Sequence, residues 1–314
     1  MITLCSKLSY ILRKELDCNT IMLSGGLDSS ILSIIGKGML KNAITIAYKD
    51  APDLEYAKFI AKECNMKHII SNIDDNKVLT YAREIIRIMH TFSPIEIRNS
   101  IVIYASLLEA KKNSIDCIIT GDGADELFAG YNYLLHFDYE QLSKELERLL
   151  KIMSFSSIPI SNDLHVRISQ PYLSNEIIEL AKSIPIELKV REYNGVRFGK
   201  WILRECFKEF REIAFRKKMA MEEGSGLSNI SYLFDAIIDD LTYNMESKSI
   251  YENERVKIRS KEHLYYYKIF RELFGTPKYN NKGFLCPDCL SSIERDFRFC
   301  KVCGAFPIKP IYIC

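Results

Sequence analysis

The sequence lacks a strong net charge, a long apolar run and the cysteine density of a small secreted fold. Its 43 Lys and Arg residues nearly balance 41 Asp and Glu residues, and a net charge of +2 gives no reason by itself to expect nucleic-acid or membrane binding. No apolar run reaches the length of a membrane span, and the N-terminal segment lacks the unbroken apolar core of a signal peptide. We therefore expect a cytoplasmic protein that does not bind a membrane.

The ten cysteines form two groups, of four and of five, together with one terminal residue. Four make two C-x-x-C pairs near the C-terminus, and Cys314 is the last residue. We interpret the cysteines that occur singly as small buried hydrophobic residues in a reducing compartment: Cys5, Cys18, Cys64, Cys117 and Cys206.

Strand and helix patterns alternate in the first half of the chain. Short apolar runs such as Ala43 to Tyr48, Lys67 to Ile73 and Asp116 to Gly123 are separated by segments with helical spacing. This alternation predicts a doubly wound parallel sheet covered on both faces. From about residue 134 to 274 the pattern is mostly helical. The polar stretch Gly275 to Gly283 predicts a boundary between a domain at 1–275 and a small one at 283–314.

A glycine loop follows the first predicted strand. Ser24 to Ser30 reads SGGLDSS. Two glycines let the backbone approach a phosphate, and the N–H groups at the start of the next helix favour an anion. Asp28 in such a loop is explained if it holds a cation, and Mg²⁺ bound to pyrophosphate would suit it. The lysine of the kinase and GTPase P-loop is missing. The alternative is an ordinary strand-to-helix turn.

A second loop, Ile119 to Tyr131, reads ITGDGADELFAGY and clusters Asp122, Asp125 and Glu126. Ligands of a parallel sheet bind beyond the C-terminal ends of its strands. This rule places the two loops side by side, so Asp28 and Asp125 are expected to share a metal ion. The alternative is a solvated acidic turn.

Together the two loops resemble the synthetase domain of glutamine-dependent asparagine synthetase, a member of the PP-loop ATP-pyrophosphatases. The resemblance implies a HUP-like fold and covers roughly residues 8 to 230. Further matches follow in order along the chain: Pro52 to Ala61, Ile97 to Ser100, Gln170 to Lys189, Lys200 to Phe207 and Phe215 to Gly226.

The resemblance also implies roles for individual residues. It assigns ATP binding to Leu23, Ser24, Gly25, Gly26, Asp28, Ser29, Ile46, Thr120 and Gly121. Asp28 and Asp125 would hold Mg²⁺. Asp122 corresponds to a position tied to acyl-adenylate chemistry. Lys218 would stabilise the pyrophosphate leaving group, Arg98 would orient substrate or phosphate, and Lys200 and Arg204 are weaker candidates.

The sequence departs from the family in two places. Ile2 follows Met1 where a member with a glutaminase domain has its nucleophilic cysteine, so we expect no glutamine hydrolysis and a separate glutaminase as a candidate partner. Ile95 stands where a threonine is expected, in a segment that helps to recognise the acceptor acid. Aspartate is thus only the default acceptor. His90 in the same segment is a candidate base, although a lone histidine there is more often structural.

The C-terminal cysteines have metal-site spacing. Cys286, Cys289, Cys300 and Cys303 form two C-x-x-C pairs, which predicts a zinc ribbon. The segment is too small to fold on its own core, so metal binding would supply its folding energy. Two disulfides and a rubredoxin-like iron site are the alternatives. Such a ribbon would dock a glutaminase, a protein that carries the substrate, or RNA.

The predicted function is that of an ATP-dependent, amide-forming ligase of the asparagine synthase type, which would act in asparagine biosynthesis. It would adenylate a carboxylate, release pyrophosphate and AMP, and pass the acyl group to ammonia or an amine. The main alternative is a PP-loop enzyme that modifies tRNA, although no basic cluster beyond Arg216 to Lys218 supports RNA binding. A third reading, a non-catalytic ATP sensor, is disfavoured by the presence of Asp28, Asp125 and Lys218.

Overall fold

A computed structural model describes residues 1–278, 283–295 and 297–313. Its centre is a five-stranded parallel sheet of order β3-β2-β1-β4-β5. The strands are β1 (Thr20–Met22), β2 (Asn42–Tyr48), β3 (Lys67–Ile73), β4 (Cys117–Ile119) and β5 (Arg167–Ser169). The strand order reverses its direction at β1, and the C-terminal ends of β1 and β4 therefore lie side by side.

The helices surround this sheet. They are α1 (Ile2–Lys14), α2 (Leu27–Ile35), α3 (Leu54–Glu63), α4 (Asp75–Met89), α5 (Pro94–Lys112), α6 (Ala124–Phe128), α7 (Tyr139–Ile152), α8 (Ser157–Leu164), α9 (Asn175–Ser183), α10 (Trp201–Cys206), α11 (Arg211–Ala214), α12 (Met221–Gly224), α13 (Ser231–Ile237), α14 (Asp240–Glu254) and α15 (Lys261–Phe274). In the described part of the chain, no helix has the length and apolar character needed to cross a membrane.

Two smaller sheets complete the fold. A hairpin pairs β6 (Val190–Tyr193) with β7 (Val196–Gly199). Near the C-terminus, β8 (Gly283–Leu285) lies between β9 (Ser292–Ile293) and β10 (Ile311–Ile313). Residues 279–282 of the predicted linker, and Cys314, lie outside the described residues.

Hydrophobic cores cover both faces of the central sheet. Successive side chains of β2 point to opposite faces: Ile44 and Ile46 join a core with α4, α5 and α15, whereas Ala43 joins a core with α1, α2 and α9. Burial on both sides explains why β2 is a nearly continuous apolar run. The predicted doubly wound parallel sheet is confirmed.

The region from about residue 134 to 274 is mostly helical, as expected, and it also supplies β5 and the β6–β7 hairpin. These strands of three and four residues are too short to show a clear two-residue period. The interpretation of the five single cysteines as small buried hydrophobic residues in a reducing compartment needs correction for four of them: Cys5 is bonded to Cys206 and Cys18 to Cys117, and Cys64 alone of these five is a free buried thiol. Spacing could not reveal pairs separated by 201 and 99 residues.

Candidate active site

The first glycine loop connects β1 to α2 and packs tightly against α3. Gly25 has φ +76°, and a Cβ there would collide with the carbonyl oxygen of Asp53 and lie 2.9 Å from the amide nitrogen of Ala57. The amide of Gly26 donates to Ser24 Oγ at 3.2 Å, and that hydroxyl is 3.1 Å from Ser29 Oγ. The loop therefore keeps its shape through short-range hydrogen bonds and admits no side chain at Gly25.

The second loop connects β4 to α6 and touches the first. A Cβ on Gly121 would lie 3.1 Å from Asp28 Cβ, so the two loops are in van der Waals contact. Gly123 has φ +93° and faces Leu173 at a distance that leaves no room for a side chain. The neighbouring strand ends bring the two loops together, as the parallel-sheet rule predicts.

Two carboxylates and two lysines meet where the loops touch. Lys200 Nζ lies 2.5 Å from Asp28 Oδ2 and 2.6 Å from Asp125 Oδ1. Lys218 Nζ lies 2.5 Å from the same Asp125 oxygen. Gly130 closes one side, since a Cβ there would overlap Asp125 Oδ1 and Lys200 Cε. We call Asp28, Asp125, Lys200 and Lys218 the four-charge cluster.

Burial and charge act differently on the two carboxyl groups of the cluster. Burial raises the pKa of Asp28, and the attraction of Lys200 offsets that effect only in part. Burial would also raise the pKa of Asp125, but Lys200 and Lys218 together hold that pKa well below its usual range. Burial disfavours charge on Lys200 as well, yet the pKa of Lys200 is raised because Asp125 and Asp28 flank it. Asp125 is thus the firmly ionised acid.

Asp28 has an oxygen that no protein group uses. Its Oδ1 is buried and has no hydrogen-bond partner among the residues that the structure describes. An unsatisfied carboxylate oxygen is costly unless a ligand occupies it, and Mg²⁺ prefers such oxygens. Asp125 supplies a second carboxylate next to the same lysine. The residues present therefore fit a divalent cation, with Asp28 and Asp125 as the groups that would hold it.

Lys200 has a more central place than the sequence indicated. Its side chain is 4% exposed, and its backbone adopts the left-handed conformation with φ +54°, which is uncommon for a residue other than glycine. Its amide donates to Phe128 O at 2.9 Å, which fixes the start of α10 beside α6. The sequence places Lys200 and Asp28 172 positions apart, so spacing gave no sign of their contact.

Two arginines brace the segments that carry the lysines. Arg204 is buried and donates to Gly199 O at 2.8 Å and to Ala214 O at 2.5 Å. Burial lowers the pKa of Arg204 to about 10, so the guanidinium stays charged at neutral pH. Arg216 donates to Gly25 O at 2.8 Å and binds the Asp53 carboxylate. The segment before Lys218 is thereby attached to the first glycine loop.

Asp122 lies outside the four-charge cluster. Its Oδ2 accepts hydrogen bonds from Thr120 Oγ1 at 2.8 Å, Ser157 Oγ at 2.6 Å and Gln170 Nε2 at 2.9 Å. These partners hold the carboxylate on the side of β5. The part of Asp122 in acyl-adenylate chemistry stays a prediction.

Arg98 is engaged by an acid on another helix. Its guanidinium forms a two-point ion pair with Glu262 of α15, with Nε 2.9 Å from Oε1, and donates to Ser228 O at 3.4 Å. The structure does not bring Arg98 into an ion pair with Asp28 or Asp125. Its assignment to substrate or phosphate stays a prediction, as does that of Ile46, whose side chain is 4% exposed in the core.

The four C-terminal cysteines converge on one point. All four are buried, and their Sγ atoms lie within 4.8 Å of one another. Cys286 Sγ is 3.7 Å from Cys303 Sγ, and Cys289 Sγ is 3.7 Å from Cys300 Sγ. A tetrahedron with zinc–sulfur bonds of about 2.3 Å has edges of about 3.8 Å. These distances are far longer than a disulfide bond of about 2.05 Å, so the arrangement fits a four-sulfur metal site.

Comparison with known proteins places this fold and these loops in a family. A sequence model of the asparagine synthase family matches residues 19–157 and 160–283. The chain belongs to the asparagine synthase family. The match includes both glycine loops and all members of the four-charge cluster, and it ends before the four cysteines.

Curated relatives are asparagine synthetases. The chain is 27% identical over 277 residues to asparagine synthetase [glutamine-hydrolyzing] from Gallus gallus, covering 80% of this chain and 48% of that protein. It is 26% identical over 283 residues to asparagine synthetase B [glutamine-hydrolyzing] from Escherichia coli K12, covering 82% and 50%. It is 27% identical over 258 residues to putative asparagine synthetase [glutamine-hydrolyzing] 1 from Methanocaldococcus jannaschii, covering 70% of this chain and 48% of that protein. The chain spans about half the length of these relatives.

Solved structures that resemble the chain do so weakly. NMN synthetase from Francisella tularensis gives a TM-score of 0.31 at 16% identity, covering 57% of this chain and 90% of that one. A predicted subunit of tRNA methyltransferase from Methanocaldococcus jannaschii gives a TM-score of 0.30 at 19% identity, covering 65% of this chain and 90% of that one. Both likenesses are too weak to inform the function.

Proposed function

We propose that the chain is an ATP-dependent ligase that activates a carboxylate as its acyl-adenylate and transfers the acyl group to ammonia or an amine. A carboxylate oxygen attacks the α-phosphorus, and the bond to pyrophosphate breaks. Nitrogen then attacks the acyl carbon, and AMP leaves. The observation that carries this proposal is the four-charge cluster at the contact of the two glycine loops, within the region matched by the family.

The cluster suits a site that must receive polyphosphate. With both acids and both lysines ionised, its formal charge is zero, so the buried charges are balanced before substrate binds. Phosphate oxygens would draw Lys200 and Lys218 away from Asp125, which frees that carboxylate for a cation. Bound Mg²⁺ would neutralise charge on the pyrophosphate. Lys218 would serve as a fixed cation where negative charge develops on the leaving group.

Aspartate is the default acceptor, because the curated relatives are asparagine synthetases. The structure offers a reason to test other acids. Arg98, which the resemblance assigns to orienting substrate or phosphate, already forms an ion pair with Glu262, whose side chain is 5% exposed. Ammonia would be free or supplied by a separate glutaminase.

The proposal is tested by measuring pyrophosphate release from ATP and Mg²⁺ with ammonium and single carboxylic acids, and in parallel with bulk tRNA. We expect release that depends on one class of carboxylate and is lost in Asp125→Asn. Glu140→Gln, an exposed acid on α7, is the matched control and should retain full rate. Release that depends on tRNA and on no free carboxylate would instead support an RNA-modifying enzyme.

For the four cysteines we propose one structural zinc ion. A closed four-sulfur site leaves no position for a substrate, so zinc there would stabilise the fold and take no part in the chemistry. The sulfur geometry supports zinc over two disulfides. Elemental analysis of the purified protein should give one zinc per chain, and iron in its place would identify the rubredoxin-like alternative.

A further inference from the structure

The segment that carries the four cysteines is joined to the loop that precedes α5. Thr91 Oγ1 donates to Lys301 O at 2.7 Å, and the amide of Phe92 donates to Val302 O at 2.8 Å. Gly304 has φ +74°, and a Cβ there would collide with Ser93 Oγ. The backbone between Cys300 and Gly304 thus lies directly on residues 91–93.

The same segment is joined to the residues that immediately precede α15. The amide of Lys257 donates to Asp288 O at 2.7 Å, and Arg259 reaches both Asp288 Oδ2 at 2.5 Å and Cys303 O at 3.0 Å. Asp288 stands between Cys286 and Cys289, so both C-x-x-C turns are held by the larger domain. Four thiolates on one bound dication would leave an excess of negative charge, and the Arg259 guanidinium beside Cys303 would offset part of it.

The contact between the four-cysteine segment and the rest of the chain is also apolar. The four cysteines belong to the same hydrophobic core as α4, α5 and α15. Phe92 is fully buried at the junction, with its ring 5.1 Å from that of His263 and 5.0 Å from those of Tyr267 and Phe270. A segment with few apolar residues of its own is therefore covered by a large aromatic cluster.

These contacts continue toward the four-charge cluster. Ser93 is the N-cap of α5 and accepts from Glu96 N at 3.5 Å, and Pro94 occupies the first turn. About one and a half turns later in α5, Asn99 Oδ1 accepts from the amide of Glu222 at 3.1 Å. Glu222 is in α12, which begins three residues after Lys218.

From this chain of contacts we propose that the four-cysteine site is an anchor of the ligase domain that fixes the N-terminal end of α5, and through α5 the segment of residues 216–226. It is not a ribbon that moves freely on the linker. Thr91 is the positioning residue that joins the two parts. The inference rests on the zinc and the ligase activity proposed above, and it predicts that loss of zinc loosens the active-site segment.

Hydrogen exchange on the full chain, followed by mass spectrometry, tests the anchor before and after zinc removal with a strong chelator. We expect faster exchange in residues 283–313 and also in 91–98 and 216–226, whereas α2 keeps its protection. Loss of protection confined to 283–313 would overturn the anchor. The zinc count from the same samples tests the zinc proposal separately, and neither readout requires turnover.

A substitution that leaves the sulfurs intact guards against general unfolding. Thr91→Val removes the hydroxyl donor to Lys301 O and should speed exchange in 91–98 and reduce pyrophosphate release severalfold while zinc content stays at one. Thr91→Ser keeps the hydroxyl and should restore both. Thr80→Val is the matched control on the exposed face of α4 and should change neither. Unchanged exchange in Thr91→Val would contradict the role of Thr91 as the link.

Discussion

Replacing Lys200 with methionine removes the cation that lies between two carboxylates. The side chain is 4% exposed, and Asp28 and Asp125 are 22% and 26% exposed, so water can replace the lost charge only in part. Methionine has a similar length and no charge. Breaking a buried ion pair by deleting one partner costs about 3–5 kcal/mol. We take the lower end, about 3 kcal/mol, because Lys218 remains beside Asp125.

Urea unfolding at pH 7 measures this loss. A cost of about 3 kcal/mol with an m-value of roughly 3 kcal/mol/M lowers the unfolding midpoint by about 1 M. Lys182→Met removes an exposed lysine that pairs with Glu179 on α9, and should cost no more than about 1 kcal/mol. Equal midpoints for Lys200→Met and Lys182→Met would refute the assignment of Lys200 to a buried cluster.

The pH dependence provides a second test of the same variant. The pKa of Asp125 is lowered in the fold, so this group contributes stability above its unfolded pKa of about 3.9 and loses it as pH falls. The pKa of Asp28 is raised, so its contribution is present below the unfolded pKa and is lost as pH rises through the folded pKa. Without Lys200 the stability contributed by Asp125 decreases, and the cost of ionising Asp28 increases. The deficit of Lys200→Met should therefore shrink as pH falls toward about pH 4, because Asp28 becomes protonated, and shrink further below about pH 4, because Asp125 follows; a deficit independent of pH would contradict this.

Two further substitutions test the same site. Asp125→Asn should abolish pyrophosphate release while the circular dichroism spectrum stays unchanged, because it removes the charged ligand of the expected cation; full activity would disprove the metal assignment. Gly130→Ala places a Cβ on Asp125 Oδ1 and Lys200 Cε, so we expect lower stability together with a severalfold slower release, measured by urea unfolding and the pyrophosphate assay. A Gly130→Ala variant with unchanged stability and rate would show that this contact is dispensable.

Local features of the site were predictable from the sequence. The loop at Ser24 to Ser30 and its strand lie within a few residues of each other, so the glycine pattern and the apolar run could be interpreted together. The approach of Asp28 to Asp125 followed from one topological rule, because the ends of neighbouring parallel strands share an edge of the sheet. These predictions needed only short segments and the order of the strands.

Contacts between distant segments could not be predicted. Lys200 reaches Asp28 across 172 positions, and Thr91 reaches Lys301 across 210. Neither contact leaves a mark on spacing or hydrophobic period, because each depends on how α10 or the cysteine segment packs in three dimensions. The spacing of the four C-terminal cysteines could be recognised in the sequence, but the attachment of their segment to α5 could not.

We propose that a carboxylate oxygen of the substrate attacks the α-phosphorus of ATP. This step is tested by incubating the enzyme with ATP, Mg²⁺, ammonium and a carboxylic acid labelled with ¹⁸O in both carboxyl oxygens, and then measuring the mass of the nucleotide product. We predict AMP that carries one labelled oxygen, together with unlabelled pyrophosphate and an amide that keeps the other label. Formation of ADP with labelled phosphate, or of AMP without label, would contradict the acyl-adenylate mechanism.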